Sequence, residues 1–75
     1  MERYKNLGGG SGVAFYEIGS DSITVQFTTC ATYLYTYGSA GRHHIEKMKE
    51  LAVAGHGLNS YIKKHVNRGY AGKLR

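Results

Sequence analysis

The sequence predicts a small α+β domain in two layers: a three-stranded antiparallel meander covered on one face by two C-terminal helices, βββαα. Three observations carry that prediction. Two neighbouring runs, Ser22 to Thr28 and Thr32 to Tyr37, alternate apolar or aromatic residues with polar ones at period two, the strand signature. After Gly38 the apolar period becomes helical. The chain has 75 residues, 41% of them hydrophobic, enough for one core and too few for two.

Taken in order, residues 1–12 end in Gly8-Gly9-Gly10-Ser11-Gly12 and read as a flexible lead-in. No Gly-Lys-Ser/Thr follows the glycines, so they do not form a phosphate loop. Val13 to Ile18 is the first strand, with mixed alternation, and Gly19-Ser20-Asp21-Ser22 turns it into the second. In the second strand Ile23, Val25 and Phe27 oppose Thr24, Gln26 and Thr28. In the third, Tyr33, Tyr35 and Tyr37 oppose Thr32, Leu34 and Thr36.

Parity fixes how these two strands pair. A loop with an odd number of residues puts both apolar sets on one face, whereas an even loop exchanges the faces of one strand. A three-residue loop around Thr29-Cys30-Ala31 is therefore expected, with an apolar-aromatic face and a Thr-rich face. The tyrosine run then belongs to the core.

Ser39 reads as the N-cap of the first helix, and Ile45, Met48, Leu51 and Ala52 form its buried stripe. Gly55 or Gly57 ends it. A second helix from about Asn59 to Val66 buries Leu58, Tyr61, Ile62 and Val66 and exposes Lys63, Lys64 and His65. The domain spans 13–70, and 71–75 is a basic tail.

Charge is concentrated in the second half. The net charge is +5. Residues 42–75 hold eight Lys and Arg against two Glu, so the excess lies entirely there. Such asymmetry points to a polyanion, nucleic acid before a membrane surface. Solubility is the competing explanation, because small domains carry a net charge of about 2–8 for that reason alone. A single Cys forms no internal disulfide framework and fits a reducing compartment. No apolar run approaches the ~20 residues of a membrane span, and the N-terminus lacks a signal-peptide core, so a cytoplasmic protein is expected.

The residues of catalysis are poorly arranged. His43 and His44 are adjacent, about 100° apart on a helix, and His56 and His65 match no zinc-ligand spacing. Cys30 has neither a Cys-x-x-Cys partner nor a His base near it in sequence. Glu2, Glu17, Asp21, Glu46 and Glu50 show no paired spacing for acid–base work. A chain this small also has little core to give up to a deep pocket. No enzyme, cofactor or metal centre is expected.

The basic and aromatic residues form the stronger pattern. Lys63-Lys64-His65-Val66-Asn67-Arg68-Gly69-Tyr70 mixes cations with an aromatic ring within eight residues. Single-stranded nucleic acid sites need that mixture, because rings stack on bases while cations neutralise phosphates. In this reading Lys63, Lys64, Arg68, Lys73 and Arg75 meet phosphates and Tyr70 stacks.

The strand Val13…Ile18, Ile23-Thr24-Val25-Gln26-Phe27, the central Tyr33-Leu34-Tyr35, and Ser60-Tyr61-Ile62-Lys63-Lys64-His65-Val66 followed by Gly69-Tyr70 together resemble the KTSC domain. The resemblance covers Ser11 to Tyr70. It departs from that family at Asn59, where Gly is usual, and at Ser39-Ala40-Gly41, which lacks the frequent Pro. KTSC domains occur alone and at the C-terminus of some lysyl-tRNA synthetases, so the resemblance implies RNA, either tRNA or a single strand, as the partner. The alternative is a protein-interaction module that docks through a sheet edge or the Thr-rich face, and edge pairing leaves a monomer or a weak dimer as the expected state.

Overall fold

Residues 1–7, 12–66 and 69–74 are described by a computed structural model. Its elements are β1 (Glu2–Arg3), β2 (Val13–Ile18), β3 (Ser22–Phe27), β4 (Thr32–Thr36), α1 (Tyr37–Ala40), α2 (Arg42–Ala54), α3 (Leu58–Tyr61) and β5 (Gly72–Lys73). A π-helical turn, Ile62–Val66, continues α3. The strands form one antiparallel sheet in the order β1-β2-β3-β4-β5, so the α+β class holds, but among the described residues three strands become five and two helices become three.

The expected parity is present. Ile23 lies opposite Tyr35 and Val25 opposite Tyr33, while Thr24 faces Leu34 and Gln26 faces Thr32. Four residues separate the two strands, but the register continues one step to place Phe27 opposite Ala31, so the turn itself is the three residues Thr28–Cys30, one position earlier than expected. Phe27 N–H donates to the Ala31 carbonyl at 2.8 Å, and Cys30 N–H to the Phe27 carbonyl at 2.9 Å. Cys30 closes the turn in the left-handed region, φ 72°. Three-residue hairpins place such a residue last, usually Gly, and Cys at that position hid the turn.

Mixed alternation in β2 also has a cause. The pairing jumps from Val13–Phe27 to Phe15–Gln26, which leaves Ala14 as an extra, bulged residue. The bulge lets Val13 share the core face with Tyr16 and Ile18, opposite Phe27, Val25 and Ile23. It sends Phe15 to the outer face, where it is exposed beside Thr24, Gln26 and Leu34.

The helices cover the face that carries Ile23, Val25 and Tyr35. From α2, Ile45, Met48 and Ala52 are buried against it, with Leu51 partly buried; from α3 and its extension come Leu58, Ile62 and Val66, with Tyr61 partly buried. Helical spacing anticipated this set. The N-cap differs: Thr36, not Ser39, caps α1, and Ser39 returns the bond in a capping box. Tyr37 is thereby the first residue of a helix and not the end of a strand. Gly41 (φ 96°) separates α1 from α2, and Gly55 (φ 84°) ends α2 in the left-handed conformation as the sequence suggests.

Tyr37 fastens α2 to the β2–β3 turn. Its hydroxyl donates to Glu46 Oε2 at 2.6 Å, and Lys49 Nζ donates to the same oxygen at 3.0 Å and to the Ser20 carbonyl at 2.9 Å. The Tyr37 hydrogen bond first, and Lys49 second, hold the Glu46 carboxyl below the usual carboxylate range.

Residues 1–7 are not a loose lead-in. Glu2 and Arg3 pair with Tyr16 and Phe15. Tyr4 is 4% exposed and its hydroxyl accepts the buried Leu58 N–H at 3.2 Å, a donor that α3 has no side-chain cap to satisfy. Leu7 N–H donates to the Gly55 carbonyl at 2.7 Å. The glycine run 8–11 lies outside the described residues. At the other end, part of the tail forms β5, with Lys73 opposite Tyr33 and Gly72 opposite Leu34. Among the described residues, no helix is long and apolar enough to cross a membrane.

Tyr4→Phe removes the acceptor and leaves the Leu58 N–H buried without a partner. Urea unfolding of this variant should show a loss of about 1–3 kcal/mol; an unchanged midpoint would mean that the bond contributes nothing. Cys30→Gly should raise stability by about 0.5–1 kcal/mol, the relief of a left-handed side chain less the added entropy of Gly. Thermal melting of the two proteins side by side checks this, and a lowered melting point would refute it.

Candidate functional site

The cations of the second half are not equivalent once the chain is folded. Lys47 and Lys49 lie 3.6 and 3.0 Å from Glu50 and Glu46 within α2. Arg42 stands 5.9 Å from the Tyr37 ring centre. Lys63 and Lys64 are exposed on the π-helical turn, and Lys73 is exposed on β5; none has an acidic partner among the described residues. Arg68 and Arg75, the other two cations expected to meet phosphates, lie outside the described residues.

Lys63 and Tyr70 come together at an open cleft of about 460 Å³. Its aromatic lining is Phe27, Tyr33, Tyr35 and Tyr70; Asn59 and Lys63 supply polar groups from the helical side, and Thr28 and Thr29 from the hairpin tip. Tyr70 is partly exposed and lies against Tyr33, with ring centres 4.6 Å apart at 46°, and edge-on to Tyr35 at 6.2 Å. Phe27 meets Tyr33 edge-on at 5.8 Å. Lys73 Nζ stands 6.0 Å from the Tyr33 ring centre. Lys63 and Tyr70 thus line the cleft and Lys73 lies beside its Tyr33 ring without lining it, while Lys64 does neither.

Local structure explains these placements. The wide π-helical turn keeps Ile62 and Val66 buried while Lys63 and Lys64 point outward between them. Pairing of β5 with β4 then returns the chain across Tyr33, through Ala71 N–H to the Leu34 carbonyl at 2.6 Å and Leu74 N–H to the Thr32 carbonyl at 2.7 Å. Tyr70 precedes this strand and is held over the rings of β4.

Tyr35 forms the floor. It is 2% exposed, and its hydroxyl makes no hydrogen bond with any described residue. No fully enclosed side-chain polar atom among the described residues lacks a partner, so this hydroxyl holds the residue's small remaining exposure, at the cleft. Burial pushes the phenol up to about 12, and the neighbouring Tyr33 and Tyr70 add to the shift. The group is therefore a neutral hydrogen-bond donor throughout the physiological range.

Sequence reasoning named Lys63, Tyr70 and Lys73 but assigned Tyr33 and Tyr35 to the core alone. Tyr35 is a core residue and also the cleft floor; Tyr33 is half-buried and forms a wall. Asn59 and the hairpin tip were missed altogether. The available signal was the phenol itself, because a tyrosine on a core face needs somewhere to put its hydroxyl.

Elsewhere, His44 Nδ1 and the Tyr61 hydroxyl are 2.7 Å apart, and His65 stacks near both, at 6.0 Å from His44 and 4.5 Å from Tyr61. Among the described residues no three His, Cys, Asp or Glu side chains are placed to hold a metal ion. Cys30 is an exposed free thiol at the hairpin tip. No family model, curated protein or solved structure matches this chain, so the resemblance to the KTSC domain rests on the quoted residues alone.

The Tyr35 phenol gives a pH prediction with a definite sign. An unfolded phenol ionises near pH 10, and the folded one near 12. The folded state thus holds its proton longer, and stability present below about pH 10 is lost as pH rises toward 12. Tyr35→Phe should show a shallower alkaline decline than the parent in urea unfolding from pH 9 to 12; parallel curves would refute it.

Proposed function

We propose that this protein is a small single-stranded RNA-binding module without catalytic activity of its own. One observation carries the reading: Lys63, from a helical turn, and Tyr70, from a connecting segment, line one aromatic cleft, and Lys73 of the edge strand stands 6.0 Å from the centre of its Tyr33 ring. Phosphates would meet Lys63, Lys64 and Lys73, while the rings offer faces or edges to bases. Pairing within α2 consumes the other described lysines of the second half, which leaves the positive field on this side. The resemblance to KTSC domains, with their place in some lysyl-tRNA synthetases, supports RNA over DNA.

A second reading is docking of a protein partner on the outer sheet face. Phe15 and Leu34 lie among Thr24, Gln26 and Thr36 on that face, and Phe15 is 38% exposed there. RNA is preferred because that face has no comparable group of unpaired cations among the described residues.

Fluorescence anisotropy with a labelled single-stranded RNA tests the reading. Affinity should fall steeply with salt, and a double charge reversal, Lys63→Glu with Lys64→Glu, should weaken binding about tenfold or more at low salt. It should also flatten the salt dependence, by about 0.7 in log–log slope for each phosphate that is no longer neutralised. RNA affinity that is unchanged by the reversal, or insensitive to salt, would overturn the proposal.

A further inference from the structure

The geometry points to the Tyr35 cleft as a seat for a single uracil base, held by the Tyr35 hydroxyl and the Asn59 amide against one aromatic wall. This inference rests on the RNA reading above and goes beyond it, from phosphate contact to base identity.

Three independent features support it. The first is shape: Tyr33, Tyr70 and Phe27 pack on one another as a single aromatic wall, and the open cleft of about 460 Å³ in front of it has room for a planar ring and for the sugar that follows it. The second is the unpartnered hydroxyl on the floor. A polar group on a residue only 2% exposed, lacking an acceptor among the described residues and open only to the cleft, is a donor available to whatever fills it. A phenol is protonated at neutral pH, and burial only raises it further, so this hydroxyl is available to donate to a carbonyl.

The third is Asn59. Its side chain is half-buried at the cleft wall and makes no hydrogen bond among the described residues. A carboxamide offers a donor and an acceptor side by side. Uracil presents two carbonyl acceptors flanking one N–H donor on its Watson–Crick edge, which complements a phenol donor and a carboxamide. Adenine offers only an amine and a ring nitrogen on that edge. The phenol can accept from the amine, as Tyr4 accepts from Leu58, and the carboxamide can donate to the ring nitrogen, but the carboxamide oxygen then faces a C–H and one hydrogen bond is lost. Lys63 at the rim is placed for the adjoining phosphate.

The test compares octamers of uridylate and adenylate with inorganic polyphosphate, in competition anisotropy at fixed salt. The parent protein should bind the uridylate octamer more tightly than the adenylate one, and both more tightly than polyphosphate. Tyr35→Phe should weaken the uridylate octamer about three- to tenfold and the adenylate octamer by less, with an unaltered melting temperature at neutral pH. Tyr70→Leu, at a partly exposed ring outside the buried core, should weaken both octamers about tenfold or more and spare polyphosphate.

Equal losses of both octamers in Tyr35→Phe, or none, would overturn the uracil seat. Octamers binding no better than polyphosphate would also overturn it, while leaving the RNA reading standing on its charge. If no octamer binds at low salt, both fall together.

Discussion

Between β3 and β4 the chain must turn with an odd number of loop residues, because only then do Ile23 and Val25 share a face with Tyr33 and Tyr35. Most of the molecule depends on that constraint. With one apolar face available, the Ile45–Met48–Ala52 stripe of α2 can be buried in a single layer against it. An even loop would place two of the tyrosines on the outside and two threonines beneath the helix, with hydroxyls competing for few acceptors. The cost of satisfying the parity is one residue, Cys30, held in the left-handed conformation. The Ala14 bulge performs the same task on the other side of β3, by bringing Val13 into phase with Tyr16. Each device accepts a local irregularity to keep one sheet face apolar.

Period-two alternation made β3 and β4 legible, and helical spacing made the buried residues of α2 and α3 legible, because both periods report which side chains leave water. Features without a period stayed hidden. Strands of two residues, such as Glu2–Arg3 and Gly72–Lys73, are too short to alternate. Tyr37 continues the alternation of β4 and yet begins a helix, because the Thr36–Ser39 capping box decides the boundary and alternation cannot see it. The hairpin was offset by one position because its left-handed residue is not Gly. At the site, lysines and Tyr70 were visible by type. The cleft was not, since it joins residues 27–35 to 59–63 and 70 by tertiary contact. Tyr35 illustrates the limit: pattern places its ring inside but is silent about its hydroxyl.

Folding also redistributes the charge that composition only counts. Two lysines of α2 are matched by glutamates a turn away, and Lys49 is held further by the Ser20 carbonyl. Exposed pairs of this kind contribute little to stability. Their larger effect is to cancel the field over one side of the helical layer. The net charge of +5 is therefore a poor guide to where an anion would be drawn, and the unpaired Lys63, Lys64 and Lys73 are a better one.

Both outer strands of the sheet have only two residues. A long bare edge would offer a neighbouring molecule a ladder of backbone donors and acceptors and invite stacking into fibrils. Here an incoming strand would find two residues' worth of ladder at either side before the pairing ran out. β3 is flanked on both sides, while β5 covers β4 at Tyr33 and Leu34 and β1 covers β2 at Phe15 and Tyr16. The brevity of the first and last strands thus limits how far lateral pairing could extend from either edge of this tyrosine-rich sheet.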